Sequence, residues 1–318
     1  MTVATCLLLY ALAVAVLAPR LLAPLTRSGA APRLGVAVWL SASGSVLAAW
    51  LAAAGFLIWE VARAWRDPAI TLTACVTTLE SVVSGEAGGA LQLGMLGLVG
   101  AAVLALTSVM WRWGRALVRA RTRTHGHARM ARVAGRHVPG VDAVVVDAPD
   151  RLAYCAAGRP HAVVVTTATL DALDRRHLAA VLAHERAHLS GRHHLLLAAT
   201  RSLAAVLPRV ELFTAAATEI ARLLEMCADD VAARGHGRGT VLGALLTLSG
   251  AATVPAGVLG ATSVGLLDRA ERLLDPAGLA QRLQSRGILA ATLTLLLSGP
   301  VVTAMLAAYD VTVCYPGA

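Results

Sequence analysis

The sequence predicts a mainly α membrane protein, in which four transmembrane helices accompany a small α+β domain. Three observations carry that expectation. Hydrophobic residues make up 57% of the 318, mean hydropathy is +0.67, and only 15% of residues are charged, well outside the range of a soluble globular domain. Four stretches are long and apolar enough to cross a hydrocarbon core of roughly 30 Å. Between the third and fourth lies a polar region, with short β-branched runs followed by helical periodicity rich in His, Glu and Asp.

The first span runs from about Val3 to Leu22; no basic residue precedes it, so it reads as a membrane helix rather than a signal peptide. Arg20, Arg27 and Arg33 follow in a short loop with Pro19, Pro24 and Pro32. A second span, about Leu34 to Trp59, and a third, about Ala90 to Trp113, both end in tryptophan, the residue of the membrane interface. The loop between them, about residues 60–89, mixes Arg63, Arg66, Asp67, Glu80 and Glu86. After the third span comes the densest basic run, from Arg112 to Arg136. The positive-inside rule places both arginine-rich segments in the cytoplasm, and their separation by two spans makes the assignments agree. The expected organisation is residues 1–113 as three spans with an outer loop, residues 114–286 as a domain on the cytoplasmic side, and residues 287–318 as a fourth span, about Gly287 to Tyr309, with a short outer tail. Both termini then face outward from a bacterial inner membrane.

All 28 basic side chains are arginine, and Asn is absent as well as Lys; with abundant Ala and Gly, this reads as the codon bias of a GC-rich bacterial genome. The net charge of +9 and pI near 10.3 raise the question of nucleic acid. The arginines flank apolar spans and no nucleic-acid-binding motif is present, so no direct nucleic-acid partner is expected. The 112–136 run also suits anionic lipid headgroups.

Within the polar domain, Val141 to Asp147, Tyr154 to Gly158 and His161 to Thr166 read as strands of a small antiparallel sheet. The last is the candidate edge to which an extended peptide would add itself. Thr169 to Asp174 reads as a helix start, leading into His184-Glu185-Arg186-Ala187-His188. On a helix, residues four apart share a face, so His184 and His188 can aim imidazole nitrogens at one cation. Glu185, offset by one position, can take a proton from a water beside that cation and pass it to a leaving amine. This points to zinc-dependent hydrolysis of a peptide bond.

A third protein ligand must come from elsewhere. His194 completes the literal string His184-Glu185-x-x-His188-x-x-Gly191-x-x-His194. Glu225 is the other candidate, on a helix that also presents Asp229 four residues on, placed to accept the N–H of a ligand histidine. Glu225 is preferred, because the chain after Gly191 reads as helix again and no Met-turn follows. Glu211 and Glu219 lack such an acid partner, and Asp230 reads as a solvated neighbour. Leu267 to Pro276, with alternating charges, reads as a solvated helix without chemistry.

These residues, Leu178 to His188 with Pro160 to Thr167 and Glu225 to Asp229, resemble the BlaR/MecR-type antirepressor family of membrane-embedded zinc peptidases, with a more distant likeness to CAAX prenyl endopeptidases and HtpX-type membrane proteases. The resemblance implies a zincin-like domain, Zn2+ held by His184, His188 and Glu225, and Glu185 as general base. It also implies a protein substrate, with a transcriptional repressor or the chain itself as the regulatory target. The sequence stops after its fourth span without the family's penicillin-sensor domain, so β-lactam sensing is not implied. A membrane signalling or scaffold protein with a structural zinc site and no general protease activity is the alternative. Among the five cysteines, Cys75 and Cys314 both fall on the outer side and are expected to form a disulfide, whereas Cys155 and Cys227 fall where thiols stay reduced.

Overall fold

The computed structural model describes residues 3–64, 87–158, 161–249 and 265–314. The elements in chain order are α1 (Val3–Arg27), α2 (Pro32–Ala64), α3 (Ala87–Ala134), β1 (Arg136–His137), β2 (Val144–Val146), β3 (Ala153–Ala156), β4 (Ala162–Thr166), α4 (Thr167–Ala172), α5 (Arg175–Ser190), α6 (His193–Val206), α7 (Glu211–His236), α8 (Arg238–Ser249), α9 (Leu266–Leu274) and α10 (Leu279–Cys314). They divide into two compact units: Met1–Ala18, Ser41–Arg112 and Thr294–Ala318 form one, and Pro19–Leu40 with Trp113–Leu293 the other.

The first unit is built from apolar helices. Three described helices are long and apolar enough to cross a membrane, over Val3–Arg27, Pro32–Trp59 and Leu279–Tyr309. The expected third span, residues 90–113, falls on the first half of α3, where the side chains of residues 87–96 lie outside the described residues. Cys75 of the expected disulfide also lies outside them. Small residues on α2, among them Ala42, Ala49 and Ala53, are buried, because only short side chains let helix backbones approach closely. A Cβ at Gly299 would overlap the ring of Tyr10, whose hydroxyl donates to the Leu296 carbonyl at 3.4 Å; glycine is what lets α1 and α10 meet there. Leu12, Leu21, Leu104, Leu295 and Leu297 are exposed, as suits side chains whose solvent is lipid.

The second unit holds a four-stranded sheet of order β1-β2-β4-β3. The expected all-antiparallel arrangement is corrected here: β2 and β4 run parallel, pairing Val144 with Val164 and Val146 with Thr166. The intervening chain, which includes β3, is long enough to carry β4 back to the starting end. The His161 to Thr166 segment is also corrected from an edge to an interior strand. β4 is hydrogen-bonded on both sides and buried throughout; Val163 and Val165 pack with Val181, Leu182 and Leu248, and Val164 with Val144 and Ala131 on the opposite face. The edge strands are β1 and β3. β1 was missed because a two-residue strand has no period to read.

Candidate metal centre

Asp174 caps α5, its side chain accepting from the His177 amide at 2.8 Å. Val181 and Leu182 then seat the helix on β4. Seating these residues also buries His184, Glu185 and His188. The helix stops at Gly191, and Arg192 adopts a left-handed conformation with φ 50° before α6 begins at His193. A Cβ at Gly191 would overlap the His193 ring, so the glycine both ends α5 and makes room for a histidine. α7 supplies the opposite wall, with Glu225 and Asp229 buried one turn apart on its core face.

The two helices bring His184, His188 and Glu225 together, one ligand-type atom from each lying within 4.8 Å of the others. His184 Nε2 and His188 Nε2 are 3.1 Å apart, and each is 3.4 Å from a Glu225 oxygen. The remaining ring nitrogens are held from behind. His184 Nδ1 lies 3.0 Å from Asp229 Oδ1, and His188 Nδ1 lies 2.9 Å from His193 Nδ1. With Nδ1–H donated to these partners, both Nε2 lone pairs face the same point. Two lone pairs and a carboxylate converging in a buried space, with Glu185 Oε2 buried and without a hydrogen-bond partner among the described residues, form a donor set that a tetrahedral zinc ion fits. His194 stands outside this grouping; its ring is 6.5 Å from that of His161. Glu219 pairs with Arg222 at 2.8 Å rather than with the histidines.

The electrostatics explain how so much charge is buried. Arg269 is 2% exposed; its Nε and Nη2 donate to the two Asp229 oxygens at 2.7 Å each, and its Nη1 lies 3.1 Å from Glu225 Oε2. This overturns the reading of α9 as a solvated helix without chemistry: Arg269 shares a face with buried Leu273 and points inward. Burial works against the His184 cation, but hydrogen bonds to Asp229 and Glu225 outweigh it and push its pKa up to about 10. The same carboxylates that favour a proton there favour a metal ion. Burial raises Asp229, and Arg269 and His184 overcome it, holding the carboxyl at about 2. Burial and the neighbouring His188 press His193 down to about 4, which keeps it a neutral acceptor.

Glu185 is 1% exposed, and burial raises its pKa against the pull of His184 and His188. The Cys155 backbone amide of β3 faces its carboxyl, so the free strand edge and the candidate base adjoin. Burial, reinforced by Glu185 and Glu225, pushes the Cys155 thiol up; burial, with Asp230, pushes Cys227 up to about 12. Both remain thiols rather than nucleophiles.

Sequence reasoning missed Arg269 and His193. For the first, the spacing of Arg269 from Leu273 was a signal that it shares an apolar face; for the second, the nearby Gly191 was the only hint.

Residues 118–259 match the model of peptidase family M48. No curated protein and no solved structure matches the chain. The match covers the arginine-rich half of α3, the sheet, the His184 to His188 helix and Glu225, so this part of the chain is similar to that peptidase family.

Proposed function

We propose that this chain is an integral membrane zinc endopeptidase in which His184, His188 and Glu225 hold Zn2+ and Glu185 is the general base. The observation that carries the reading is the convergence of the two Nε2 atoms and the Glu225 carboxylate beside a buried Glu185 oxygen that has no hydrogen-bond partner among the described residues. When bound, zinc would polarise the scissile carbonyl and lower the pKa of an adjacent water to about 7. Asp229 keeps His184 in the tautomer that presents Nε2, and His193 does so for His188. Arg269 fixes Asp229 and Glu225 and neutralises part of their charge. Glu185, raised by burial, takes the proton of the attacking water and delivers it to the leaving amine. An extended peptide laid along the free edge of β3 would pass the carboxyl of Glu185, in place of the β4 docking expected from sequence.

Glu185→Gln protein is expected to bind zinc like the parent while peptide cleavage falls by at least about a hundredfold, the scale of general acid–base catalysis. Unchanged cleavage would sink the proposal. Glu225→Ala should lose zinc and His194→Ala should keep it. A parent protein that binds zinc but cleaves nothing would favour the structural-zinc alternative. The cytoplasmic placement of the site follows the arginine distribution, and the repressor as substrate follows the resemblance to antirepressors. Comparing the proteomes of cells carrying the parent or Glu185→Gln chain tests the latter.

A further inference from the structure

A second site lies away from the zinc-binding side chains. A cavity of about 440 Å3 opens among α2, α7, α8, α9 and α10, lined by Arg33, Arg234, Arg238, Arg272, Arg282 and Arg286, with Asp230 as its one carboxylate among the described residues. That carboxylate is already taken, with both oxygens 2.8 Å from Arg272 Nη2. Arg282 Nε donates to the Ala277 carbonyl at 2.6 Å. Arg33, Arg234, Arg238 and Arg286 form no ion pair among the described residues. Six guanidinium groups around one neutralised acid create a strongly positive concavity, which is stabilised when an anion enters. Guanidinium forks match phosphate oxygens in bidentate fashion.

The position selects the anion. Arg33 is in the first turn of α2, and Arg282 and Arg286 are in the first two turns of α10; both helices carry candidate spans, over Pro32–Trp59 and Leu279–Tyr309. Ala30 and Ala31, which also line the cavity, follow the end of the candidate span Val3–Arg27. The cavity therefore sits where apolar helices end, at the level of lipid headgroups, with two helix N-termini adding their positive ends. We propose that it binds the phosphate headgroup of an anionic phospholipid such as phosphatidylglycerol.

The test uses the full chain in mixed micelles, with retained phosphatidylglycerol counted by native mass spectrometry. Arg33→Gln/Arg234→Gln/Arg286→Gln should weaken retention by about a hundredfold, given the usual contribution of a basic residue at a lipid surface. Arg175→Gln/Arg176→Gln/Arg209→Gln, which removes the same charge from exposed positions outside both the cavity and the 112–136 run, should leave retention unchanged. A chain with lysine at residues 33, 234 and 286 should recover most of the binding, separating lost charge from lost folding. Equal losses from both glutamine triples, equal retention of phosphatidylcholine, or displacement of the lipid by equimolar inorganic phosphate would each overturn the proposal.

Discussion

Asp229 and Asp230 are neighbours on α7, and α9 offers each an arginine, yet the two ion pairs belong to different environments. Asp229 with Arg269 is sealed, each side chain 1% exposed. Asp230 with Arg272 is open, at 33% and 15%. One residue of helical rotation turns the first pair toward the candidate metal-binding side chains and the second toward the arginine-lined cavity. The chemistry is the same and the consequences are not: in the sealed pair, neither charge can fall back on water if its partner is lost. The sealed pair holds the site's geometry, whereas the open one is a half-buried contact on the cavity wall.

The contrast breaks most visibly at Arg269. Arg269→Met should destabilise the protein by about 3–5 kcal/mol, because Asp229 and Glu225 are left buried without their counter-charge; chemical denaturation of the purified chain measures this. Asp229→Asn should weaken zinc binding by about 10–100-fold by releasing His184 from its orientation, while Asp230→Asn leaves zinc binding intact, as read by competition with a chromogenic chelator.

Acid sharpens the comparison further. The folded pKa of Asp229 lies below its ordinary 3.8, at about 2, so its contribution of about 2 kcal/mol is present above that ordinary value and is lost as pH falls through the folded one. Asp229→Asn should therefore flatten the stability profile between about pH 4 and pH 2. His193→Phe should cost up to about tenfold in zinc affinity, since it removes the acceptor behind His188. Arg272→Ala should cost less, about 1 kcal/mol, because water still reaches this half-buried pair, seen as a small shift in the thermal midpoint.

Much of this was legible from residue order. The apolar helices announced themselves by length and composition, and the His184 to His188 spacing by helical geometry. Glu225 with Asp229 stood out as an acid pair four residues apart. The sheet was harder: its strands were recognisable as β-branched runs, but which one lies at the edge depends on the path of the chain between β2 and β4. Charge alternation in α9 misled, because nothing in the order of its charges marks which of its two arginines meets a buried carboxylate across the fold.

Sequence alone determined the helices suited to a membrane and the candidate metal-binding trio, because hydropathy and the 3.6-residue turn act over neighbouring residues. Only the tertiary structure decided that Arg269 and His193 close around that trio, that β3 presents a free edge beside Glu185, and that arginines from five separate helices share one cavity. Those arrangements come from segments far apart in the chain being packed together, where burial and charge compensation, rather than local propensity, choose the partner.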